Sequence, residues 1–421
     1  MKAHVYAHHL AQKLSPVGKG RIRQDCLLEA VQDQLIIHAS DGIHYLQMSV
    51  PATVEKAGKL VVSAPMLAQL LKIIGPQEVV ISQHSDKARV VVQLGDQAEY
   101  FLPLGFRQDD EDYDPLQAQA TALMNEASPV VAFQRPDVWK DSSSAVKPYR
   151  GDWEFNDIWV VPLSQQPEWS ITPMPVAIVA TDRTILMASL VTEQQATVMD
   201  TDIALPVPPE LTAFPVQSFA LASKEDRSYL YAILEDGFVF APTDISKGSH
   251  YYRVFNNLLF APAQARLRFD ATTWRHLKRA IQTYADKKVS RHSRSAIARW
   301  DIHPDGSHYI WSTAEEAILF TSEKAEVVGE IPWTCTFWTI LLEKAVKFVS
   351  TPSIIELVFH ENSCMMRLHD QFNCRICVLM SMVVGNDYDS FMDSSERNRR
   401  NTPITPNAEA GEMEVSVYAE I

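Results

Sequence analysis

The chain has 421 residues, 46% of them hydrophobic, which is enough for about three self-contained cores. It carries 38 Lys and Arg against 52 Asp and Glu, a net charge of −14, which argues against a nucleic-acid partner unless the cations gather on one face. No apolar run reaches the ~18 residues of a membrane span, and the N-terminal MKAHVYAHHLAQKL lacks an apolar signal core, so no membrane partner and a cytoplasmic location are expected.

Residues 2–6 read as a strand and 8–14 as a helix. The His8-His9 pair has no Cys, Asp or Glu at ligand spacing nearby, so no metal is expected there. The loop GKGRIR carries Lys19, Arg21 and Arg23 without an acid among them. Strands are expected at 27–30, 35–39, 42–49 and 60–62. Ser63 is a candidate N-cap and Pro65 suits the first turn of the next helix. Met66, Leu67, Leu70, Leu71, Ile73 and Ile74 then recur at helical spacing until Gly75-Pro76. Three strands follow at 78–82, 88–94 and 98–104, with hairpin turns at 84–86 and 95–97. Residues 106–129, with Asp109, Asp110, Glu111, Asp112 and Asp114, read as an acidic linker.

A second domain opens with a strand at 130–134 and a helix at 135–144 that buries Trp139. The segment AVKPYRGDW holds Lys147, Arg150 and Trp153. Strands are expected at 155–162, 177–180 and 186–190, the last two flanking a turn at Thr181-Asp182-Arg183-Thr184. From Ile203 a strand, a short helix start and three strands repeat the earlier order, with turns at 224–226 and 235–237. A third domain has a strand at 265–269 and a helix to Tyr284 capped by Thr272. Arg275, Lys278, Arg279, Lys287, Lys288, Arg291 and Arg294 follow one another there against a single acid, Asp286. From Gly329 the strand–helix–three-strand order returns once more, with turns at 361–363 and 369–371.

Five scattered cysteines fit reduced thiols. Cys374 and Cys377 fall within a predicted strand, where residues three apart face opposite sides, so they read as packing residues. Residues 385–421 read as a flexible acidic tail in which 414–420 could add a strand to a partner.

The fold class is therefore α+β: three similar domains, 1–115, 129–255 and 262–384, each built of two strand–helix–strands halves. The first helix of each domain leads into a basic stretch, which in a chain of net −14 is charge segregation. Phosphate-cradling glycine loops, nucleophile elbows and H-E-x-x-H are absent. No catalytic residues and no cofactor are expected, although an enzyme assembled from distant residues stays open as a competing reading.

Several segments carry a resemblance to a known family. LVVSAPMLAQLLKII with its three strands, IVATDRTILMA, GSHYYRV and CVLMSMVV occur in the order and spacing of the bacterial DNA sliding clamp, the β subunit of DNA polymerase III. The last three resemble that family's A-T-D-G-H-R-L-A, F-P-D-Y-R-R-V and V-V-M-P-M-R-L segments. The resemblance implies a processivity factor: a head-to-tail homodimer closing a six-domain ring around double-stranded DNA without reading sequence, placed by a clamp loader and tethering a replicative polymerase. It implies that Lys19, Arg21, Arg23, Lys147, Arg150, Trp153, Arg275, Lys278, Arg279, Lys287, Lys288, Arg291 and Arg294 face DNA. It further implies a partner-peptide pocket at Phe155, Thr181, Arg183, Leu186, Arg253, Val254, Val378, Met380 and Met382. The departures are plain: the family's Gly-His-Arg is Arg183-Thr184-Ile185 here, its terminal Pro and Arg are Ser381 and Val383, and a tail follows. A clamp-fold paralogue acting as a non-encircling interaction module is the alternative.

Overall fold

A computed structural model describes residues 1–17, 25–84, 89–104, 113–152, 155–199, 202–286, 297–302, 308–312, 317–322, 326–329, 333–350, 354–360 and 363–380. Lys19, Arg21, Arg23, Trp153, Lys287, Lys288, Arg291, Arg294, Met382 and the 385–421 tail lie outside the described residues. The chain forms two compact units, one of Met1–Lys147, Asp157–Pro162 and Val191–Tyr251, the other of Pro148–Asn156, Leu163–Leu190 and the chain from Tyr252 onward.

The expected repeat is present three times. The first runs β1 (Lys2–Tyr6), α1 (Ala7–Leu14), β2 (Asp25–Val31), β3 (Gln34–Ser40) and β4 (Tyr45–Pro51), then a short β5 (Thr53–Lys56). Its second half is β6 (Gly58–Ser63), α2 (Ala64–Ile74), β7 (Glu78–Gln83), β8 (Arg89–Leu94) and β9 (Ala98–Pro103). After α3 (Tyr113–Met124), the second repeat runs β10 (Ser128–Phe133), α4 (Pro136–Val146), β11 (Ile158–Pro162), β12 (Val176–Thr181) and β13 (Ile185–Val191). It continues with β14 (Ala196–Val198), β15 (Leu205–Val207), a 3-10 turn at Pro209–Ala213, β16 (Ser218–Lys224), β17 (Arg227–Leu234) and β18 (Gly237–Thr243). Helix α5 (Gly248–Phe260) precedes the third: β19 (Ala265–Arg268), α6 (Ala271–Asp286), β20 (Ile297–Ile302), β21 (His308–Ser312) and β22 (Ala317–Ser322). Its second half is β23 (Glu326–Gly329), β24 (Trp333–Trp338), α7 (Thr339–Phe348), β25 (Ile354–His360), β26 (Ser363–Asp370) and β27 (Arg375–Met380).

The two halves of a repeat exchange their first strands. β1 joins β7–β8–β9, while β6 joins β2–β3–β4; β10 joins β16–β17–β18; β19 joins β25–β26–β27, while β24 joins β20–β21–β22. The exchange ties each half to the other, so neither can unfold alone without opening both sheets. Helices pack between: α1 on α2 through Leu10, Leu14, Leu67 and Leu71, all buried at i, i+4 spacing. Sheets are continued between repeats by last strands. β18 pairs with β4, Phe238 facing Gln47 and Val239 facing Leu46, and β13 pairs with β27, Leu186 facing Val378. A Cβ at Gly237 would lie 2.0 Å from the Gln47 carbonyl oxygen, so the β18–β4 approach requires glycine.

Several expectations need correction. The 106–129 linker contains α3, whose Leu116, Ala120 and Leu123 follow helical spacing and pack on Tyr45, Tyr229, Tyr231 and Phe240. Tyr231 donates its hydroxyl proton to the Ala120 carbonyl, and Gln119 Nε2 bonds the Tyr229 hydroxyl at 2.9 Å. Alanines make the stripe narrow, which is why the acidic run hid it. GSHYYRV, the segment that resembles the family's F-P-D-Y-R-R-V, forms the start of helix α5. On α2 the buried face is Ala64, Leu67, Ala68, Leu71 and Ile74, while Met66 and Ile73 are 46% and 76% exposed. Ser63 is the α2 N-cap but its hydroxyl makes no cap bond. Asp270, not Thr272, caps α6, its Oδ1 accepting the N–H groups of Thr272 and Thr273 at 2.7 and 2.8 Å. Cys374 lies in the turn before β27 at φ 51, because the hairpin turns two residues later than expected; Cys377 is buried in β27 as expected.

One end of the β19–β25–β26 sheet is held by a buried charge network. Glu356 Oε2 accepts from His369 Nε2 (2.9 Å) and Arg367 Nη2 (2.8 Å), and its Oε1 faces Arg266 Nε (3.1 Å). Trp169 Nε1 donates to His369 Nδ1 (3.0 Å), which leaves the imidazole proton on Nε2. Arg266 also makes a bidentate pair with Glu168. Burial pushes the Glu356 carboxyl up, but the His369 hydrogen bond and the charges of Arg367 and Arg266 outweigh it and pull it down to about 2.

Two outcomes follow. Leu123→Ala, which strips α3 of its buried anchor, should cost about 2–5 kcal/mol in urea unfolding. Because Glu356 titrates lower in the folded state than its ordinary 4.5, its contribution is complete above that value and is lost as pH falls from about 4.5 toward 2. Glu356→Gln should therefore flatten the acid limb of a Tm-versus-pH curve while lowering Tm at pH 7.

Candidate functional site

The β12–β13 hairpin turn organises one corner of the second unit. Asp182 Oδ1 accepts from Thr184 N (3.1 Å), Thr184 Oγ1 (2.7 Å) and Ile185 N (3.0 Å), an Asx arrangement that fixes the turn. Thr181 is buried; its hydroxyl donates to the Ile185 carbonyl (2.9 Å) and accepts from Arg183 N (3.2 Å). The result holds Arg183 at φ 78, a left-handed conformation that costs a non-glycine residue about 1 kcal/mol or more. Its exposed guanidinium lies 5.0 Å from the centre of the Phe155 ring, a cation–π contact.

The neighbouring segment is tied to this turn through backbone. Gly151 N donates to the Thr181 carbonyl at 2.8 Å, and a Cβ there would sit 3.0 Å from Asp182 Cα, so glycine allows the approach. Lys344 of α7 reaches Asp182 Oδ2 at 3.4 Å. On the other side, Met380 N donates to the Thr184 carbonyl at 3.0 Å, and Leu186 faces Val378 across the β13–β27 pair.

Of the residues expected to form a peptide pocket, the structure thus brings together Phe155, Thr181, Arg183, Leu186, Val378 and Met380. Thr181, Leu186 and Val378 are buried packing residues, at 6%, 3% and 1% exposure. Phe155 and Met380 are half-buried and Arg183 exposed. Arg253, exposed, and Val254, half-buried, lie on α5. Reading the sequence missed Lys344 and Arg375. The Arg375 guanidinium lies 5.1 Å from the Phe348 ring centre, and Tyr149 meets the same ring edge-on at 5.4 Å. Burial pushes the Tyr149 hydroxyl pKa up. The signal was present in TILLEKAVKF, whose Lys344 and Lys347 are three apart and share one helix face. The corner sets the half-buried Phe155 and Met380 beside the Arg183 turn.

The described residues of the expected DNA-facing set divide into two kinds. α6 buries Trp274, Leu277 and Ile281, with Trp274 Nε1 bonded to the Ser350 carbonyl at 3.1 Å. Arg275 and Arg279 are exposed, one turn apart on the opposite face, and Lys278 is half-buried. Arg150 is half-buried in the loop after α4. Lys147 is used internally: its Nζ donates to the Pro209 carbonyl (3.0 Å) and the Thr212 hydroxyl (2.7 Å), holding α4 to the 3-10 turn.

No protein-family model and no curated protein matches the sequence. Solved structures do. The DNA polymerase III subunit beta from Pseudomonas aeruginosa superposes with a TM-score of 0.64 at 15% identity, covering 91% of this chain and 100% of its own. The DNA polymerase sliding clamp from Caulobacter crescentus gives 0.63 at 16%, covering 91% and 99%. The Helicobacter pylori beta clamp bound to a DNA ligase peptide gives 0.56 at 13%, covering 91% and 100%. Over about nine-tenths of its length the chain has the fold of the beta sliding clamps.

The turn makes a clear prediction about residue 183. Arg183→Gly relieves the backbone while losing the ring contact, and thermal unfolding should place it within about 1 kcal/mol of the parent. Arg183→Val cannot adopt φ 78 without strain and should be destabilised by more than about 1 kcal/mol.

Proposed function

We propose that this protein is a divergent sliding clamp: a non-enzymatic cytoplasmic processivity factor that closes, as a homodimer, into a ring around duplex DNA. The observation that carries this reading is the end-to-end coverage of clamp structures, 91% of this chain and 100% of the Pseudomonas aeruginosa protein.

The topology supports ring closure independently. Inside the chain, the last strand of one repeat's first half pairs with the last strand of the next repeat's second half, as β4 with β18 and β13 with β27. The two strands of this kind left over are β22, from the third repeat, and β9, from the first; both end their sheets. A second copy pairing its β9 with β22, and its β22 with β9, satisfies both edges by a heterologous contact that closes. Three domains, 1–115, 129–255 and 262–384, would then become six. The half that bears β9 also exposes Met66 and Ile73 on α2 and Phe101 on β9 (46%, 76% and 47%), apolar surface suited to such a seam.

Arg275 and Arg279 supply exposed cations without base-reading partners, and with Arg150, Lys278 and the basic residues outside the described set they suit exchangeable phosphate contacts. The corner built on Arg183 and Phe155 is the reading's docking point for the peptides of a polymerase, a clamp loader or a ligase, the last by likeness to the Helicobacter pylori complex. One observation favours the alternative of a non-encircling module: Lys147, one of the expected DNA contacts, is spent inside the fold.

The test is topological. The protein, placed on nicked circular plasmid, should stay bound through gel filtration at moderate salt and be lost when the plasmid is linearised. Ile73→Asp at the proposed seam should abolish retention without changing Tm by more than a few degrees. Equal loss from circular and linear DNA would favour the alternative. A fluorescent peptide of the ligase segment, used as probe, should bind the protein and lose affinity at least tenfold with Arg183→Glu.

A further inference from the structure

Within the first unit, where the first two repeats meet, the fold forms a cavity of about 670 Å³. That is the size of a site for a small organic molecule or a short peptide segment. The β18–β4 pairing builds it. Met48 faces Gly237 across that pair, which brings the end of β17 against α1. Lys13 of α1 donates to Asp236 Oδ2 in the β17–β18 turn, and the Asp236 carbonyl accepts from Ser49 N at 2.8 Å. On the other wall, Trp139 Nε1 donates to the Leu211 carbonyl at 3.1 Å and Lys147 Nζ to the Pro209 carbonyl at 3.0 Å. These bonds fix α4 against the turn that ends at Phe214. The cavity is therefore preformed, and a ligand would not have to order its walls.

Floor and rim differ in chemistry. The floor is apolar: Ala11, Met48, Leu71, Phe214 and Leu234 line it and are all buried. The rim is basic: Lys72 of α2, Lys140 of α4 and His8 of α1 line it and are all exposed. Asp236 is the one carboxylate among the described residues lining the cavity, and Lys13 is already bonded to it. Lys72 Nζ donates to the Ser15 hydroxyl at 3.2 Å, a neutral partner that leaves its charge in place. Two amines from separate helices thus stand at one opening, and an anion between them lowers their mutual repulsion. A phosphate backbone would use this rim but not the floor, because a duplex has no apolar group to insert below its phosphates. An acidic peptide uses both, with an apolar side chain on the floor and carboxylates on the rim.

We propose that this cavity is a second docking site, for a partner segment in which an apolar side chain is flanked by carboxylates. The apolar side chain rests on Met48, Leu71 and Phe214, and the carboxylates meet Lys72 and Lys140. None of the residues of the Arg183 corner lines this cavity. A partner held here therefore leaves that corner free, and one chain can hold two segments at once. The proposal stands whether or not the corner takes a peptide.

The experiment titrates the full chain against a fluorescein-labelled hexapeptide, Glu-Glu-Leu-Phe-Glu-Glu, read by anisotropy in low salt. The peptide should bind, and its counterpart with lysine in place of glutamate should not. Lys72→Glu with Lys140→Glu, both at exposed positions, should weaken binding about tenfold or more at an unchanged Tm, and high salt should act in the same direction. Serine in place of the central Leu-Phe should also weaken it about tenfold, because the floor is then unused. Arg183→Glu should leave the affinity unchanged. No binding, equal affinity for the parent and the lysine variant, or equal binding of the serine peptide would overturn the proposal. Loss with Arg183→Glu but not with the lysine variant would place the peptide at the corner and overturn it too, while upholding the corner. If the lysine variant weakens binding of a short duplex oligonucleotide and not of the peptide, the rim belongs to the phosphate contacts and the second site falls.

Discussion

The structure depends on the rule that an antiparallel sheet cannot leave a long strand edge open to solvent. Each repeat answers half of the problem internally, by sending the first strand of each half into the other half's sheet. It answers the rest externally, by pairing last strands: β4 with β18 through Phe238, Val239 and Leu46, and β13 with β27 through Leu186 and Val378. Gly237 marks how tight this joining is, since any side chain there would strike the Gln47 carbonyl. Among the strands that end a sheet, β9 and β22 are the two last strands of a half without such a pairing, and they are the edges that the proposed second copy would cover.

The site is a consequence of the same joining. Because β13 and β27 are paired, the β12–β13 turn and the exit of β27 are brought side by side. Asp182 then fixes the turn, and Lys344 reaches its other carboxylate oxygen. A glycine would sit more easily at φ 78, so the arginine is held against a backbone preference. At the other end of this sheet, Glu356 meets two arginines and a histidine in a buried network that keeps β25 and β26 in register with β19.

Much of this was legible in the residues. The recurrence of strand, helix and three strands could be read from apolar periodicity and from turn residues alone, and Trp139 and Cys377 were placed correctly inside. What escaped was set by context. The α3 stripe uses Ala120 where a larger residue would have signalled a core, and its partners Tyr229 and Tyr231 lie more than a hundred residues away. Met66 and Ile73 read as core because hydrophobic residues are a one-way guide, and only the sheet decides which face of α2 is covered. Lys147 read as a solvent cation, since nothing local announces that Pro209 and Thr212 wait for it. Asp270 was passed over as a cap for Thr272, a two-residue error of the kind that side-chain geometry alone resolves.

The claim on which the rest stands is that β9 and β22 are satisfied by a second copy. Its most direct measurement is the mass in solution at micromolar concentration, by sedimentation equilibrium. The account predicts a single species at twice the 47.4 kDa of the chain. A monodisperse 47.4 kDa monomer across that range would contradict it.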